Sequence, residues 1–370
     1  MPFCVGALDG LLFLSYLLNF EQAIFHGAAM AAKAALFIFW KRAALSGAAK
    51  TSIPFLVCLI ASETISSVIN GVELLQTVRI YLFCANILLT LNFVNTSYWR
   101  GLLCTSLVNA VLFILASQAG ALSSHFGRLY YFSDSHPNLG SELFFAGAYA
   151  GLQSKLPKTS VCSVLLFFAC TFLMQGRAAE IGILAILLIL AWRSSQHLGL
   201  KIFLILATVA IFLITLLVAD LSSILDKVLL LDDQYRGGDS NASGRLQYWQ
   251  SAIDVWIDHP LFGAGTDYSD RLGVLKAHNF FLYALANYGF LGVVTVGIFI
   301  YQLFYVALLK DWMLLVPFVP MLAFNDRFIN LNTYPTVMFL FVFIQFHAAV
   351  SERYKSPRLP ARQRGPISYQ

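Results

Sequence analysis

The chain has 370 residues, of which 59% are hydrophobic and only 12% are charged, and its mean hydropathy is +0.73. A soluble domain would carry about 25% charged residues, so lipid is the expected solvent for most of this chain. The net charge of +5 gathers at the ends of apolar runs and forms no single basic stripe. This pattern argues against a nucleic-acid partner.

The apolar runs predict the fold class. They are about 17–20 residues long and do not alternate with polar residues, which indicates membrane helices and not strands of a barrel. We therefore expect an all-α, polytopic membrane bundle of about twelve transmembrane helices. The predicted spans are residues 3–19, 22–39, 52–70, 77–95, 102–120, 139–153, 159–175, 178–192, 201–219, 279–309, 312–328 and 335–349.

These spans divide the chain into four predicted parts. Residues 1–219 would hold the first nine helices, and residues 278–350 would hold the last three. Between them, residues 220–277 form one large loop. The tail, residues 351–370, is basic and Pro-rich, which is typical of a disordered orientation signal.

The distribution of positive charge predicts the orientation of the bundle. If the N-terminus is cytoplasmic, most Lys and Arg residues outside the long loop fall on the cytoplasmic side. The short loops on the other side would hold only Arg79, Arg128, Arg177 and Arg327. We therefore expect both termini in the cytoplasm and the large loop on the outer side of the membrane.

The large loop contains one predicted helix, in the sequence RLQYWQSAIDVWIDHP. Its larger apolar side chains fall on one helical face, and Pro260 is expected to end it. This predicts an amphipathic helix that lies on the outer leaflet or caps the bundle. The predicted apolar face consists of Leu246, Trp249, Ile253, Trp256 and Ile257. The span that follows the loop is long for one crossing, and we expect it to bend near Gly289 and Gly292.

Three basic or imidazole residues fall at the same predicted membrane face. Arg177 and Arg245 each stand at the beginning of a predicted helix, and His278 stands where the loop re-enters the membrane. Guanidinium groups at helix N-termini suit a diphosphate, and a neutral imidazole nearby can take a proton from an attacking hydroxyl. Structural alternatives remain open. Arg177 could pair with Glu180, Arg245 could contact lipid headgroups, and His278 could cap a span.

Weaker candidates lie at the same face. Tyr248 and Trp249 could stack on sugars, although an interfacial aromatic belt would contain the same residues. His136 in SHPN could bind substrate or serve only a turn, and Arg327 in FNDRF could bind substrate or pair with the adjacent aspartate. The sequence has no Walker loop and no His/Cys cluster with metal-ligand spacing. We therefore expect neither a cofactor nor a metal.

Charged residues within apolar runs form a separate group. Asp9, Lys33, Glu63 and Glu142 lie inside predicted spans. A charge in this environment is costly and often functional. The three carboxylates are therefore secondary functional candidates.

Three sequence blocks together resemble the O-antigen ligase and polymerase family of bacterial envelope glycosyltransferases. They are GRAAEIGILAILLILAW, GRLQYWQSAIDVWIDHPLFGAG and AHNFFLYALANYGFLG, and SHPNLG resembles a further family block. The resemblance covers roughly residues 135–309. It implies that Arg177 and Arg245 match the family's essential arginines and that His278 matches its essential histidine. Asn279 follows the histidine, as it does in the family.

The resemblance also implies a substrate and a mechanism. The donor would be an undecaprenyl-diphosphate glycan, handled at the periplasmic face of a bacterial inner membrane without metal or nucleotide. The two arginines would hold the diphosphate while His278 deprotonates the acceptor hydroxyl, with inversion at the anomeric carbon. Gly176 stands where many relatives carry Ser or Thr. The residues assigned to substrate binding are Asn279, Trp249, Tyr248, His136 and Arg327.

Three functions remain open at this point. A ligase would place finished polysaccharide on lipid A–core, and the GRAAE, HPLFGAG and HN blocks favour it. A polymerase would join lipid-linked repeat units of an O-antigen or exopolysaccharide. In either case membrane lipids are partners, and a chain-length regulator is a further candidate partner. A lipid-glycan flippase or transporter would need charges along a central path, whereas these candidates gather at one face.

Overall fold

Helices make up nearly all of the part of the chain that the computed structural model describes. The described residues are 1–11, 22–42, 44–122, 124–125, 128–129, 137–174, 176–194, 245–266, 268–277, 279–309, 312–324 and 333–355. The helices are α1 (Pro2–Leu11), α2 (Gln22–Lys41), α3 (Gly47–Asn70), α4 (Leu74–Thr90), α5 (Thr96–Gln118), α6 (Pro137–Gln153), α7 (Pro157–Met174), α8 (Arg177–Ser194), α9 (Arg245–Asp258), α10 (Tyr268–Leu272), α11 (Phe280–Leu309), α12 (Val319–Phe324) and α13 (Thr333–Lys355). A two-residue antiparallel strand pair, Ser124–His125 with Arg128–Leu129, precedes α6.

The lengths and composition of the helices fit a membrane. Helices α3, α5 and α11 are each long and apolar enough to cross one, and shorter apolar stretches lie in α1, α4, α7 and α13. The expectation of a helical membrane protein is therefore confirmed. The predicted ninth span, residues 201–219, lies outside the described residues. So do residues 12–21, which include the second half of the first predicted span and the turn after it.

Polar caps explain where several helices begin and end. The Ser46 hydroxyl accepts a hydrogen bond from the N–H of Ala49 at 3.1 Å and starts α3, while Gly71 ends it at φ +60°. Asn95 starts α5, because its Oδ1 accepts from two N–H groups of the first turn at 2.9 and 3.1 Å. Each cap satisfies backbone groups that the helix itself leaves open.

An aromatic core joins the long helices. The ring of Phe55 in α3 lies 5.6 Å from that of Phe299 in α11. It lies 5.2 and 5.6 Å from the rings of Phe339 and Phe343 in α13. Tilted contacts at these distances are favourable arrangements for aromatic rings, so this cluster fixes α3, α11 and α13 against one another.

A buried ion pair joins the N-terminal helices. Lys33 of α2 pairs with Asp9 of α1, and both are buried. Lys33 Nζ also donates to Asn86 Oδ1 and Thr90 Oγ1 of α4, at 2.7 and 2.9 Å. The hydroxyl of Tyr98 in α5 donates to Asp9 Oδ2 at 2.8 Å. These contacts link four helices through charges that the protein itself hydrogen-bonds.

The predicted eleventh span differs from the structure. Instead of one continuous helix over 312–328, the chain forms two short 3₁₀ turns, Trp312–Leu314 and Val316–Phe318, followed by the six-residue α12. Pro317 and Pro320 account for the break, because proline lacks the N–H that a continuous helix requires and its ring clashes with the preceding turn.

Candidate functional site

The long helix α11 is broken at Gly289, as its length predicted, and the loop that precedes it fills the break. Gly289 has φ +58° and ψ −135°. The N–H of Phe290, which a continuous helix would bond within itself, donates to the carbonyl of Pro260 at 2.8 Å. In return, the N–H groups of Ala264 and Gly265 donate to carbonyls of α11 at 2.8 and 2.9 Å. The loop therefore supplies the hydrogen bonds that the break removes.

Two glycines make this contact sterically feasible. Gly263 has φ +65°, and a Cβ placed on it would lie 2.3 Å from the carbonyl carbon of Asn287. A Cβ on Gly289 would lie 2.5 Å from the nitrogen of Gly263. Backbone packs directly on backbone here, which only glycine permits. The PLFGAG and GFLG blocks of the sequence are thus the two sides of one contact.

The predicted loop helix is confirmed as α9, but its buried face differs from the prediction. Ala252 and Val255 are buried in a cluster with Tyr283 and Ala286 of α11. Ile257, which was assigned to the apolar face, is 62% exposed. Small side chains let α9 approach α11 closely, so the helix caps the bundle along a narrow face.

The contacts of α9 set its direction. Its C-terminal end is tied through Pro260 to Phe290, while its middle packs beside Tyr283 and Ala286. Helix α9 therefore runs beside the first part of α11 in the same chain direction. Its 14 residues span roughly 21 Å at 1.5 Å per residue. Arg245, the first residue of α9, is accordingly at the end that points toward the start of α11.

The residue before His278 is held by a buried tyrosine. Tyr268 of α10 is completely buried, and its hydroxyl accepts a hydrogen bond from the N–H of Ala277 at 3.0 Å. Backbone N–H groups held in this way have little freedom to move. The chain therefore enters the position of His278 from a fixed point.

The residue after His278 is fixed as well. Asn279 Oδ1 accepts from two N–H groups in the first turn of α11, at 2.9 and 3.1 Å, so Asn279 is the N-cap of this helix. Its Nδ2 donates to the carbonyl of Ala323 in α12 at 3.1 Å. The amide was predicted to bind substrate, and in this structure it is engaged with the protein on both sides.

The start of α8 packs tightly against α6. A Cβ placed on Gly176 would lie 2.0 Å from the hydroxyl oxygen of Ser141, which is buried. The chain therefore has a glycine at position 176 with the Ser141 hydroxyl directly beside it. Sequence reasoning missed Ser141, because nothing in the local pattern pairs it with Gly176.

Helix α6 also contacts the segment that leads to α12. The rings of Phe145 and Phe318 lie 5.6 Å apart. One turn further along α6, the hydroxyl of Tyr149 donates to the carbonyl of Leu314 at 3.2 Å. Later residues of α6 meet earlier residues of this segment, so the two run in opposite directions.

Helices α6 and α8 run in the same direction. Ser141 meets Gly176, and one turn later Phe145 meets Gly182, where an added Cβ would lie 2.5 Å from the Phe145 ring. Because the segment ending in α12 runs opposite to both, Ala323 lies at the end of the bundle where α8 begins. Ala323 in turn bonds Asn279. The backbone of Arg177 and the two neighbours of His278 therefore lie at one end of the bundle, the end toward which α9 also extends.

Several predicted site groups are not described by the structure. The side chains of Arg177 and Arg245 are outside the described set, and so are the whole of His278, His136 and Arg327. Among the residues that are described, no group of three or more His, Cys, Asp or Glu side chains could hold a metal ion. The site is therefore built from backbone positions and from the side chains that surround them.

A shallow, open groove runs along one face of α9, and we call it the polar groove because most of the residues that line it have polar side chains. Its volume is about 550 Å³, and the walls are completed by Val255 and by Val274 of the loop. The polar lining consists of Gln247, Gln250, Ser251, Asp254 and Asp258. The predicted aromatic residues Tyr248 and Trp249 on the same helix are partly buried. Within the described part of the chain, the buried indole N–H of Trp249 meets no acceptor.

This arrangement belongs to a helical membrane protein in which the segment after α9 is packed into a broken helix. Residues 162–297 match the family model described as O-Antigen ligase, a segment that begins in α7, ends in α11 and contains Arg177, α9 and His278. The match confirms the resemblance to the O-antigen ligase and polymerase family. A function on lipid-linked glycans, of the glycosyltransferase kind, is what this family implies. Comparison with curated proteins finds no match to the chain.

Proposed function

We propose that this chain is an O-antigen ligase, which transfers an undecaprenyl-diphosphate-linked polysaccharide to an acceptor hydroxyl of lipid A–core. The transfer takes place at the periplasmic face of the bacterial inner membrane, with both termini of the chain in the cytoplasm. The observation that carries the proposal is the placement of Arg177, the start of α9 and the neighbours of His278 at one end of the bundle.

In the proposed reaction, Arg177 and Arg245 bind the diphosphate of the donor. Guanidinium groups match phosphate oxygens and stabilise the charge that develops on them as the bond breaks. His278 takes the proton of the acceptor hydroxyl. The hydroxyl oxygen then forms a bond to the anomeric carbon from the opposite face, and the lipid diphosphate leaves with the electron pair of the broken carbon–oxygen bond. The configuration at the anomeric carbon is inverted.

The polar groove on α9 supports a glycan substrate. Glutamine amides both donate and accept hydrogen bonds, and carboxylates accept them, so these side chains suit sugar hydroxyls. The groove lies on the same helix as Arg245. A donor whose diphosphate is bound at the start of α9 could therefore extend its sugar chain along this face. Tyr248, Trp249, His136 and Arg327 remain candidate contacts to substrate.

A polymerase is the second candidate, because the family match covers chemistry that ligases and polymerases share. The two differ in the acceptor, which for a polymerase is the next lipid-linked repeat unit. A flippase is less well supported. Its hallmark would be charges along a central path, whereas the buried pair of Lys33 and Asp9 is hydrogen-bonded by the protein itself.

The central experiment measures transfer by purified protein in lipid, with a lipid-linked glycan donor and a lipid A–core acceptor. We expect His278→Ala and Arg245→Ala to abolish transfer, and Arg177→Lys to be strongly impaired because the planar fork is lost. His259→Ala and Arg193→Ala are matched controls, since both residues are exposed, His259 lies in the same loop and Arg193 lies at the opposite end of α8. Wild-type transfer by His278→Ala would refute the mechanism.

A deletion strain distinguishes the two candidate functions. Loss of a ligase leaves lipopolysaccharide with core and no O-chain, while undecaprenyl-linked polymer accumulates. Loss of a polymerase leaves core that carries a single repeat unit. A gel of extracted lipopolysaccharide reads out the difference directly.

A further inference from the structure

A carboxylate in the membrane helix α3 reaches the outer loop. Glu63 is completely buried, and its Oε2 accepts a hydrogen bond from the hydroxyl of Thr266 at 2.5 Å. Its Oε1 accepts from the hydroxyl of Ser67, one turn further along α3, at 2.8 Å. Thr266 is also buried. The transfer mechanism described above uses none of these groups.

The position of Glu63 is costly for a charged group. Burying a carboxylate away from water is unfavourable unless the group is paired and hydrogen-bonded. The hydroxyl of Tyr288 in α11 also lies near this carboxylate. Of the two donors named above, Ser67 lies on the same helix and would be available whatever the loop did. The other, Thr266, comes from the loop, so the contact with Thr266 is the one that depends on loop position.

The loop is held to α3 by other bonds as well. Asn70 Nδ2 donates to the carbonyl of Gly263 at 3.0 Å, and the hydroxyl of Ser66 donates to the carbonyl of Asn287 at 2.6 Å. These bonds fix the PLFGAG segment and the break in α11 without Glu63. The contact between Glu63 and Thr266 therefore adjusts the chain that follows, and is not needed to dock the loop.

Thr266 lies close in the chain to the buried tyrosine whose hydroxyl holds the residue before His278. Thr266 lies two residues before Tyr268, whose side chain is completely buried. The hydroxyl of Tyr268 holds the N–H of Ala277, and Ala277 directly precedes His278. A displacement at Thr266 is therefore passed to Tyr268 and from there to the chain entering His278.

We propose that Glu63 and Thr266 are positioning residues for His278, acting through the buried Tyr268 and its bond to Ala277. This inference rests on the proposed function, in which His278 deprotonates the acceptor. Neither residue touches the reacting atoms. Their effect is to hold the imidazole where the acceptor hydroxyl arrives, and small errors in the placement of a catalytic group reduce turnover strongly.

Thr266→Val is the principal test, because it removes the hydroxyl and keeps the shape of the side chain. We expect kcat for glycan transfer to fall by about tenfold to hundredfold, while KM for the lipid-linked donor stays unchanged. Thr266→Ser should restore most of kcat, since it returns the hydroxyl. Ser67→Ala is the matched control. It removes the other donor to the same carboxylate and should leave kcat within about twofold of wild type.

The measurements separate positioning from general loss of structure. The thermal unfolding midpoint of each purified variant is recorded beside its kcat and KM. A wild-type kcat for Thr266→Val would overturn the proposal. So would a fall in kcat that follows a lower unfolding midpoint and is not restored by Thr266→Ser.

His278→Ala in the same assay keeps the two proposals distinguishable. If His278→Ala transfers glycan at the wild-type rate, the proposed function itself fails. If His278→Ala is inactive while Thr266→Val is unimpaired, only the positioning role fails. Loss of kcat in both variants, with rescue by Thr266→Ser, supports both.

Discussion

Gly263 and Gly289 pack backbone against backbone, and this contact joins the segment after α9 to the broken helix α11. Both have positive φ, +65° and +58°. The two residues are 26 positions apart in the sequence, within the two blocks that resemble the family most specifically. Because Arg245 precedes this contact and His278 lies between its two sides, the geometry of the candidate site depends on it.

Replacing Gly289 by alanine should therefore disrupt both stability and transfer. A Cβ there would meet the nitrogen of Gly263 at 2.5 Å, and alanine is strained at φ +58°. The two effects together should cost about 2–4 kcal/mol of unfolding free energy. The thermal unfolding midpoint of purified protein in detergent and its transfer rate are the measurements.

Gly297→Ala is the matched control for this prediction. Gly297 lies on the same helix, and a Cβ placed there meets nothing within 4 Å. Alanine also favours helix formation over glycine by about 1 kcal/mol. Gly297→Ala should therefore be at least as stable as wild type. Equal stability of the two alanine variants would contradict the role assigned to the glycine contact.

The sequence predicted the helices well and their contacts poorly. Hydropathy located α3, α5 and α11, and the length of α11 predicted its bend. In α9, the spacing of apolar residues predicted that the bulky Ile257 belongs to the apolar face. In the structure Ile257 is exposed, and the small Ala252 packs on α11. Periodicity finds an apolar face but does not reveal how close the opposing helix comes, and that distance decides which side chains fit.

The contacts around the candidate site could not be predicted from the sequence for a similar reason, because they join residues that are far apart in the chain. Glu63 was noticed as a charge in an apolar run, but its contact with Thr266 spans 203 positions. Ser141 and Gly176 likewise meet only through the packing of two helices. The roles of Arg177, Arg245 and His278 stay predictions, which the transfer assay above tests.

A second prediction concerns Gly176 and Ser141. Gly176→Ser alone should reduce stability and transfer, because its Cβ would lie 2.0 Å from the Ser141 hydroxyl oxygen. Overpacking of this kind costs about 1–3 kcal/mol. Adding Ser141→Gly frees the space and moves the hydroxyl to position 176. The double variant should recover most of the lost unfolding midpoint.

The double variant also tests whether the hydroxyl matters for transfer. Ser141→Gly alone opens the space and supplies no hydroxyl. If the hydroxyl assists binding at the start of α8, the double variant should be more active than Ser141→Gly. A double variant no better than Gly176→Ser would show that the side chains do not share one space.

A third prediction concerns the buried ion pair. Lys33→Met leaves Asp9 charged and buried without its cation, and removes the donor to Asn86 and Thr90. Breaking a buried pair in this way costs about 3–5 kcal/mol. The double variant Lys33→Met with Asp9→Asn removes both charges and should be more stable than either single variant. Lys50→Met, at an exposed position of α3, should have no effect.

The thermal unfolding midpoints of wild type, Lys33→Met, Asp9→Asn and the double variant form a double-mutant cycle. The pair links α1, α2, α4 and α5 and has no part in the proposed transfer mechanism, so transfer per folded molecule should change little. A transporter would behave differently, because charges along its path would be required for activity. Loss of transfer by the double variant at a wild-type unfolding midpoint would therefore favour a role for this pair in moving substrate.

The last prediction concerns the polar groove on α9. Gln247 and Asp258 both line the groove, and each would donate or accept a hydrogen bond with a sugar hydroxyl. Loss of one such bond costs about 0.5–1.5 kcal/mol, which corresponds to a rise in KM for the donor of about twofold to tenfold. Because these two side chains would contact sugars of the glycan and take no part in bond breaking in the proposed mechanism, kcat should be unchanged in Gln247→Ala and Asp258→Asn.

Asp270→Asn is the control for the groove variants. Asp270 is an exposed carboxylate in α10, between α9 and α11, and does not line the groove. Its replacement changes the local charge as Asp258→Asn does, so an unspecific charge effect would appear in both. A higher KM in the groove variants alone would indicate that the groove binds the sugar chain of the donor. Unchanged KM values in all three variants would contradict this, and α9 would then contact only the diphosphate of the donor.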